Sequence, residues 1–405
     1  MTQLSREGIG VEPEEGFARF TYKLRHGGTA WIWRRLRSEF VLPTTRLGRV
    51  VHKLLRRMLT ASVSPLRALH HALLNTAPIA DNTLYAFYDL KVQPVTFDFL
   101  WFLAGADLTR RVHGFEKVHV VIVPGPNEGV REEDPLYEAV VDLSARKWRI
   151  VNILVSSIAL LPTCSGLTLA ASRKEAAALW AMTGKAHYPF GYEPFMPVGH
   201  HPEDCLIPAC AGMRPIGVLR ATLQGLRYVD RFIENFSAGR RLITITIRDY
   251  AYGSDRNSNL TAWGAFARKL DQAIWWPVFV LDTEQTLDPI PESIAGFCVL
   301  PEVSWNVSLR MALYQRAWLN LGVNNGPMGL CWLNDQSRYL TFKLVTPTVS
   351  QTTVNFNRSM GFEPGDSLPF ATDLQKWVWE DDALNVIQRE FDQMVARIEN
   401  AEVTA

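Results

Sequence analysis

Arg248 directly follows Leu242–Ile247, an alternation of apolar and β-branched residues that reads as a buried strand, and it opens the polar stretch DYAYGSDRNSN. A guanidinium held at a strand end can make two parallel hydrogen bonds to a phosphate, a geometry no lysine matches. A second strand-like run ends in VFVLDTEQ, which puts Asp282 and Thr283 at its end, where a carboxylate can accept from a ribose or a base. A third, NLGVNNGPMG, ends in Asn324, Asn325 and Gly326 ahead of a helix pattern; small residues there let backbone N–H groups approach a ligand, and a helix start favours an anion. Each position also has an ordinary reading: Arg248 as a salt-bridge residue, Asp282 as an Asx turn or helix N-cap, Asn257 or Asn259 as an N-cap, and Asn325-Gly326 as a turn.

The elements that must hold these residues alternate. Strand patterns over Thr83–Leu90, Lys117–Val123 and Leu167–Ala171 take turns with helix patterns over Phe97–Val112, Leu136–Ala159 and Arg173–Trp180. Asp89, Gln93 and Thr96 fall at the end of the first strand. Between Thr183 and Pro215 the periodicity fails in a proline- and glycine-rich run, the mark of an interdomain segment or long loop. Alternation then resumes with a helix over Val218–Phe236, the Leu242–Ile247 strand, and helix Ala262–Ala273. It continues through strands Trp276–Leu281 and Gly296–Leu300, helix Val307–Trp318, strand Leu319–Val323, a helix from about Met328 and strand Leu340–Val345, and it closes on an amphipathic helix over Ala383–Ile398. The expected fold class is α/β: two Rossmann-like parallel-sheet domains facing a cleft, with ligand beyond the carboxyl ends of the strands. The expected boundaries are a basic helical segment over 1–76, a first domain with its linker over 77–214, a second domain over 215–380, and a C-terminal helix over 381–405.

Charge is balanced overall, 42 basic against 41 acidic residues, so composition does not point to nucleic acid. It is uneven locally. From Phe17 to about Leu74 the cations face the single acid Glu39, and in TAWIWRRLRSEF and GRVVHKLLRRMLTA they interleave with aromatic and aliphatic residues. That pattern suits an amphipathic helix on an anionic membrane surface, and equally a pair of solvated helices packed on the body. No apolar run is long enough to span a bilayer, and MTQLSREGIGVEPEEG lacks the layout of an export signal. Five scattered cysteines suit reduced thiols. The expected location is cytoplasmic, peripheral on the inner face of the membrane if the basic segment meets lipid. His187, His200, His201, Cys205 and Cys210 offer metal-ligand types but no zinc spacing, so no metal site is expected.

The order strand-Arg-loop, strand-Asp-Thr and helix-strand-Asn-Asn-Gly-Pro resembles the nucleotide-sugar half of GT-B glycosyltransferases, especially heptosyltransferase-like and fucosyltransferase-like enzymes of envelope glycan synthesis. The likeness covers roughly Leu242 to Val345; the first domain matches in general layout and lacks the family's glycine-rich first turn, offering YDLKVQPVTFDFLWFL instead. The resemblance implies a metal-independent hexosyl- or heptosyltransferase with no cofactor beyond a nucleotide-sugar co-substrate, GDP- or ADP-linked, and a glycan or lipid-linked acceptor. It implies Arg248 on the donor phosphates, Asp282 and Thr283 near the nucleoside, and Asn324, Asn325 and Gly326 over the diphosphate. Such transfer needs charge stabilisation on the departing diphosphate and a base for the acceptor hydroxyl, for which the resemblance leaves Asp89 and Asp98 in the first domain or Asp249 and Asp255 on the loop, with Asp89, Asp249 and Asp255 the catalytic candidates; the C-terminal helix would cross back to the first domain. The alternatives are a catalytically idle scaffold of the same fold and a nucleotide-sugar epimerase.

Overall fold

The computed structural model describes residues 82–183, 186–197, 216–346, 349 and 352–404, together with positions 50, 51, 54 and 58. The linker histidines His200 and His201, with Cys205 and Cys210, and nearly all of the basic segment lie outside the described residues. The chain divides into two compact units, Met1–Leu74 and Asn75–Ala405. In the first, Val50, Val51, Leu54 and Met58 are helical positions with exposed apolar side chains, at the spacing of one helix face.

The second unit holds two sheets. The first has the order β3-β2-β1-β4, from β1 (Thr83–Asp89), β2 (Lys117–Val123), β3 (Cys164–Leu169) and β4 (His187–Tyr188), all parallel. In β1 the residues alternate between two cores: Leu84, Ala86 and Tyr88 pack with helix α1 (Asp98–Val112), while Tyr85 and Phe87 face the opposite side. A parallel strand covered on both faces is apolar throughout, which is why β1 is buried at every position.

The second sheet has the order β10-β9-β8-β5-β6-β7, again parallel, from β5 (Arg241–Thr246), β6 (Trp275–Val280), β7 (Cys298–Val299), β8 (Leu319–Val323), β9 (Tyr339–Phe342) and β10 (Gln375–Trp377). Register decides the geometry of its edge. Thr246 pairs with Val280 on one side and Gly322 on the other, so Arg248, Asp282 and Asn324, each two residues further on, emerge side by side.

The carboxyl edges of the two sheets meet. A Cβ on Gly326, just past β8, would come within 2.9 Å of the Phe97 Cβ just before α1, so only glycine permits this approach. Trp101 of α1 lies 6.3 Å from Trp332, and one apolar cluster runs from α1 into the second half of the unit through Met311, Met328 and Leu330.

Three expectations change. The single helix expected over Leu136–Ala159 is instead a short turn at Pro135–Glu138, helix α2 (Leu143–Arg149), a π-helical stretch over Ile150–Val155 and a final turn at Ser156–Ile158. The helix expected from Met328 is a 3₁₀ turn followed by Gly329–Trp332. The C-terminal helix, Leu384–Thr404, does not cross to the first sheet: Val386, Ile387, Phe391, Met394 and Ile398 join the core of the second, with Phe391 against Phe266 and Trp275. The reason is an anchor just before it, the buried Asp382, which accepts from the Asn259 N–H at 2.6 Å and from the Trp263 indole at 2.8 Å.

Candidate functional site

Arg248 is buried, 7% exposed, and its guanidinium folds onto its own loop. One terminal nitrogen donates to the Gly253 carbonyl at 3.0 Å and to Asn257 Oδ1, and the other donates to the Tyr252 carbonyl at 2.7 Å. Gly253 makes this possible: at φ +64 it turns the chain so that successive carbonyls face inward. All of these acceptors are neutral. Burial lowers the pKa of Arg248, opposed by the fields of Asp282, Asp255 and Asp249.

Arg256, from the same loop, donates to the Asn324 carbonyl at 3.0 Å, and its Nε has no hydrogen-bond partner. Its pKa is pushed down to about 10 by burial and then by repulsion from Arg248, against the attraction of Asp255 and Asp98. A third cation comes from helix α6 (Val307–Arg316; α3, α4 and α5 being Arg173–Thr183, Leu223–Phe236 and Leu260–Lys269). Arg310 is 1% exposed and donates from Nε to the Tyr314 hydroxyl at 3.0 Å; that hydroxyl also meets Thr246 Oγ1 at 2.7 Å, at the end of β5. None of the three guanidinium groups makes an ion pair with a carboxylate among the described residues.

Arg149 approaches the same edge from the first half of the unit, at the end of α2, where the π-helical stretch begins. It donates to the Tyr250 hydroxyl at 3.1 Å, to Glu284 at 3.2 Å and to the Tyr137 hydroxyl at 3.3 Å. Burial opposes its charge, but the two phenols and Glu284 outweigh burial and raise its pKa. Tyr137, itself pushed up to about 12 by burial, stacks edge-on against Tyr252 with ring centres 5.4 Å apart.

Asp282 lies among these cations. Its carboxylate caps the turn Thr283–Gln285 by accepting from the Thr283 N–H at 2.8 Å. Burial raises its pKa despite the fields of Arg310, Arg248 and Arg149. One carboxylate thus sits in the fields of three guanidinium groups, while Asp249, Asp255, Asp98 and Glu284 act on the arginines of this edge from the segments around them.

The other sequence candidates separate clearly. The Thr283 hydroxyl donates to the Ser304 carbonyl at 3.1 Å. Asn324 supplies the carbonyl that Arg256 binds. The Asn325 side chain accepts from the Met328 N–H at 3.1 Å, capping a turn too short to carry much macrodipole. Gly326 is exposed beside Phe97. Asp249 is exposed and accepts from Asn257 Nδ2 at 3.3 Å, while Asp255 is half-buried on the 3₁₀ turn Ser254–Arg256.

Asp89 corrects an expectation. It is 1% exposed and accepts from both terminal nitrogens of Arg173 at 2.7 and 2.8 Å, from the Tyr192 hydroxyl at 2.7 Å, and from the Lys91 N–H at 2.9 Å. A carboxylate occupied by a bidentate arginine and two further donors holds its loops together and does not collect a proton from substrate. Asp98 is half-buried in the first turn of α1, directly after Phe97, and close enough to Arg256 to act on its charge.

Sequence reasoning missed Arg149, Arg256 and Arg310. Arg310 left a signal, since in VSLRMALYQR it falls on the same stripe as Val307, Met311 and Tyr314. Two surface depressions of about 340 and 480 Å³ lie elsewhere, against Glu175 and Met182 and against Phe236 and Trp276. Among the described residues no group of three or more His, Cys, Asp or Glu could hold a metal ion, and no helix is long and apolar enough to cross a membrane.

No family model and no curated protein matches the chain. Among solved structures it is similar to a family 9 glycosyl transferase from Veillonella parvula, at 10% identity and TM-score 0.45 over 78% of this chain and 97% of that one. It is also similar to the ADP-heptose lipopolysaccharide heptosyltransferase II of E. coli, at 11% identity and TM-score 0.38 over 78% and 99%. A third is the fucosyltransferase NodZ from Bradyrhizobium, at 12% identity and TM-score 0.25 over 59% and 88%.

Proposed function

We propose that the protein is a glycosyltransferase that moves a sugar from a nucleoside-diphosphate donor to a glycan or lipid-linked acceptor. The observation that carries this reading is the cluster of guanidinium groups at the carboxyl edge of the second sheet: Arg248, Arg256 and Arg310 hydrogen-bonded to neutral acceptors, with Asp282 in the field of Arg248 and Arg310. Parallel sheets bind ligand at that edge, and buried guanidinium groups without carboxylate partners are matched by a diphosphate.

In this reading Arg248 and Arg256 take the diphosphate, with the Asn324–Gly326 turn over it and Asp282 toward the nucleoside. The acceptor hydroxyl approaches along the first sheet and gives its proton to Asp98 as its oxygen bonds to the sugar's anomeric carbon. The bond from that carbon to the phosphate oxygen breaks, its electron pair going to the diphosphate, where the arginines stabilise it. Direct displacement of this kind inverts the anomeric centre. The guanidinium groups supply the charge that a metal ion would otherwise supply, so the reaction is metal-independent.

Thermal-shift and calorimetric titration with ADP, GDP, UDP, CDP and dTDP test the site. One of them should stabilise the protein, and Arg248→Met should weaken that binding by about 100-fold, the loss of a bidentate charge-assisted contact. Equal binding by the variant would remove Arg248 from the site, and an intact diphosphate site without transfer to any acceptor would favour the idle scaffold.

The exposed apolar face at Val50, Val51, Leu54 and Met58, set in a sequence rich in Lys and Arg, supports peripheral attachment to an anionic membrane surface on its cytoplasmic side. Co-sedimentation with phosphatidylserine vesicles should be strong at low salt and weak at high salt. Salt-insensitive or absent binding would count against it.

A further inference from the structure

The Tyr250 ring connects the two halves of the site. The guanidinium carbon of Arg248 lies 5.6 Å from its centre and that of Arg149 lies 5.8 Å from it, so a cation from each half of the unit faces one phenol. Arg149 is held there by two neutral hydroxyls and by Glu284, a carboxylate that is 48% exposed. That pair is the exchangeable kind: a solvated carboxylate binds a guanidinium weakly, and a dianionic group in a drier place outcompetes it. Arg149 also ends its helix where the backbone changes to π-helical hydrogen bonding, a rare irregularity that redirects the residues around it.

Resting on the diphosphate reading above, we propose that Arg149 is a further phosphate ligand, supplied from the first half of the unit, and that Glu284 occupies it until a diphosphate arrives. With the nucleoside toward Asp282 and the second sheet, the phosphate farther from the nucleoside is the one an arginine from the opposite side meets. Exchange of Glu284 for that phosphate would draw the two edges together around the leaving group, adding charge stabilisation where it develops.

The test is calorimetric titration of the full chain with ADP and GDP, and with AMP and GMP as controls, at fixed ionic strength. Arg149→Gln should weaken the diphosphate that binds by about tenfold, leaving its monophosphate within about twofold. Arg149→Lys, which keeps the charge and loses the fork, should fall between wild type and the glutamine variant. Glu284→Gln should tighten diphosphate binding by about two- to fivefold, because it removes the competitor. The double variant should match Arg149→Gln alone. Weakening in Glu284→Gln to the same degree as in Arg149→Gln would make the pair a strut between the halves and overturn the proposal, as would unchanged affinity in Arg149→Gln. If the wild-type chain binds neither diphosphate nor any other in the panel, the diphosphate reading itself fails and this proposal with it; loss in Arg248→Met but not in Arg149→Gln leaves the reading standing and overturns the proposal alone.

Discussion

Each sheet ends in an arginine, one 28% exposed and the other 7%, and the two are treated in opposite ways. At the edge of the first sheet, Arg173 clasps Asp89 with both terminal nitrogens, adds the Pro124 carbonyl at 2.9 Å and the Pro194 carbonyl, and shares Asp89 with Tyr192. Charge is cancelled and every strong acceptor is used. At the edge of the second sheet, Arg248, Arg256 and Arg310 hold carbonyls, an amide and a phenol, and the nearby carboxylate Asp282 does not form an ion pair with any of them. The first arrangement ties loops together; in the second, neutral acceptors hold the guanidinium groups and the carboxylates act on them only through their fields. Buried charge alone therefore does not identify a site: the nature of its partner does.

The largest effect should come from breaking the matched pair. Asp89→Ala strands the Arg173 guanidinium and removes acceptors from Tyr192 and the Lys91 N–H, so denaturant unfolding should report a loss of about 3–5 kcal/mol. The contrasting variant at the other edge, Arg248→Met, removes a buried cation that has no carboxylate partner. Its unfolding free energy should stay within about 1 kcal/mol of wild type, even as ligand binding is lost. Similar destabilisation by both variants would show that Arg248 is a strut like Arg173, and the contrast between the two edges would disappear.

How much of this is legible in the sequence follows from the range of the forces involved. β1 and β5 can be read because burial on both faces makes nearly every residue apolar or β-branched. β4 and β10, two and three residues long, are too short to carry a period, and neither shows in the sequence. The row Arg248, Asp282 and Asn324 is readable because each residue directly follows a run of apolar or β-branched residues. The role of Asp89 is not, because its partners Arg173 and Tyr192 are 84 and 103 residues away and nothing local marks a carboxylate as occupied. The C-terminal helix is plainly amphipathic, but an apolar stripe does not say which sheet it covers; the distant contacts of Asp382 decide that.

Asp282 offers the smallest and most discriminating test of the contrast. Burial raises its pKa above the usual 3.8, against the attraction of three arginines, so the native carboxyl keeps a proton that the unfolded chain has already given up. Between 3.8 and the raised native value the native state binds more protons than the unfolded one, so stability falls as pH rises through that window. Asp282→Asn keeps an oxygen to cap the Thr283 N–H and removes only the titration. Wild type and variant should therefore unfold alike near the lower end of the window, and the variant should be the more stable as pH approaches neutrality. Chemical denaturation from about pH 4 to 7 reads that gap. A gap of the opposite sign would mean that the arginines outweigh burial and hold Asp282 as an ion-pair partner, making the second edge a matched charge system like the first and leaving less unbalanced charge for a diphosphate.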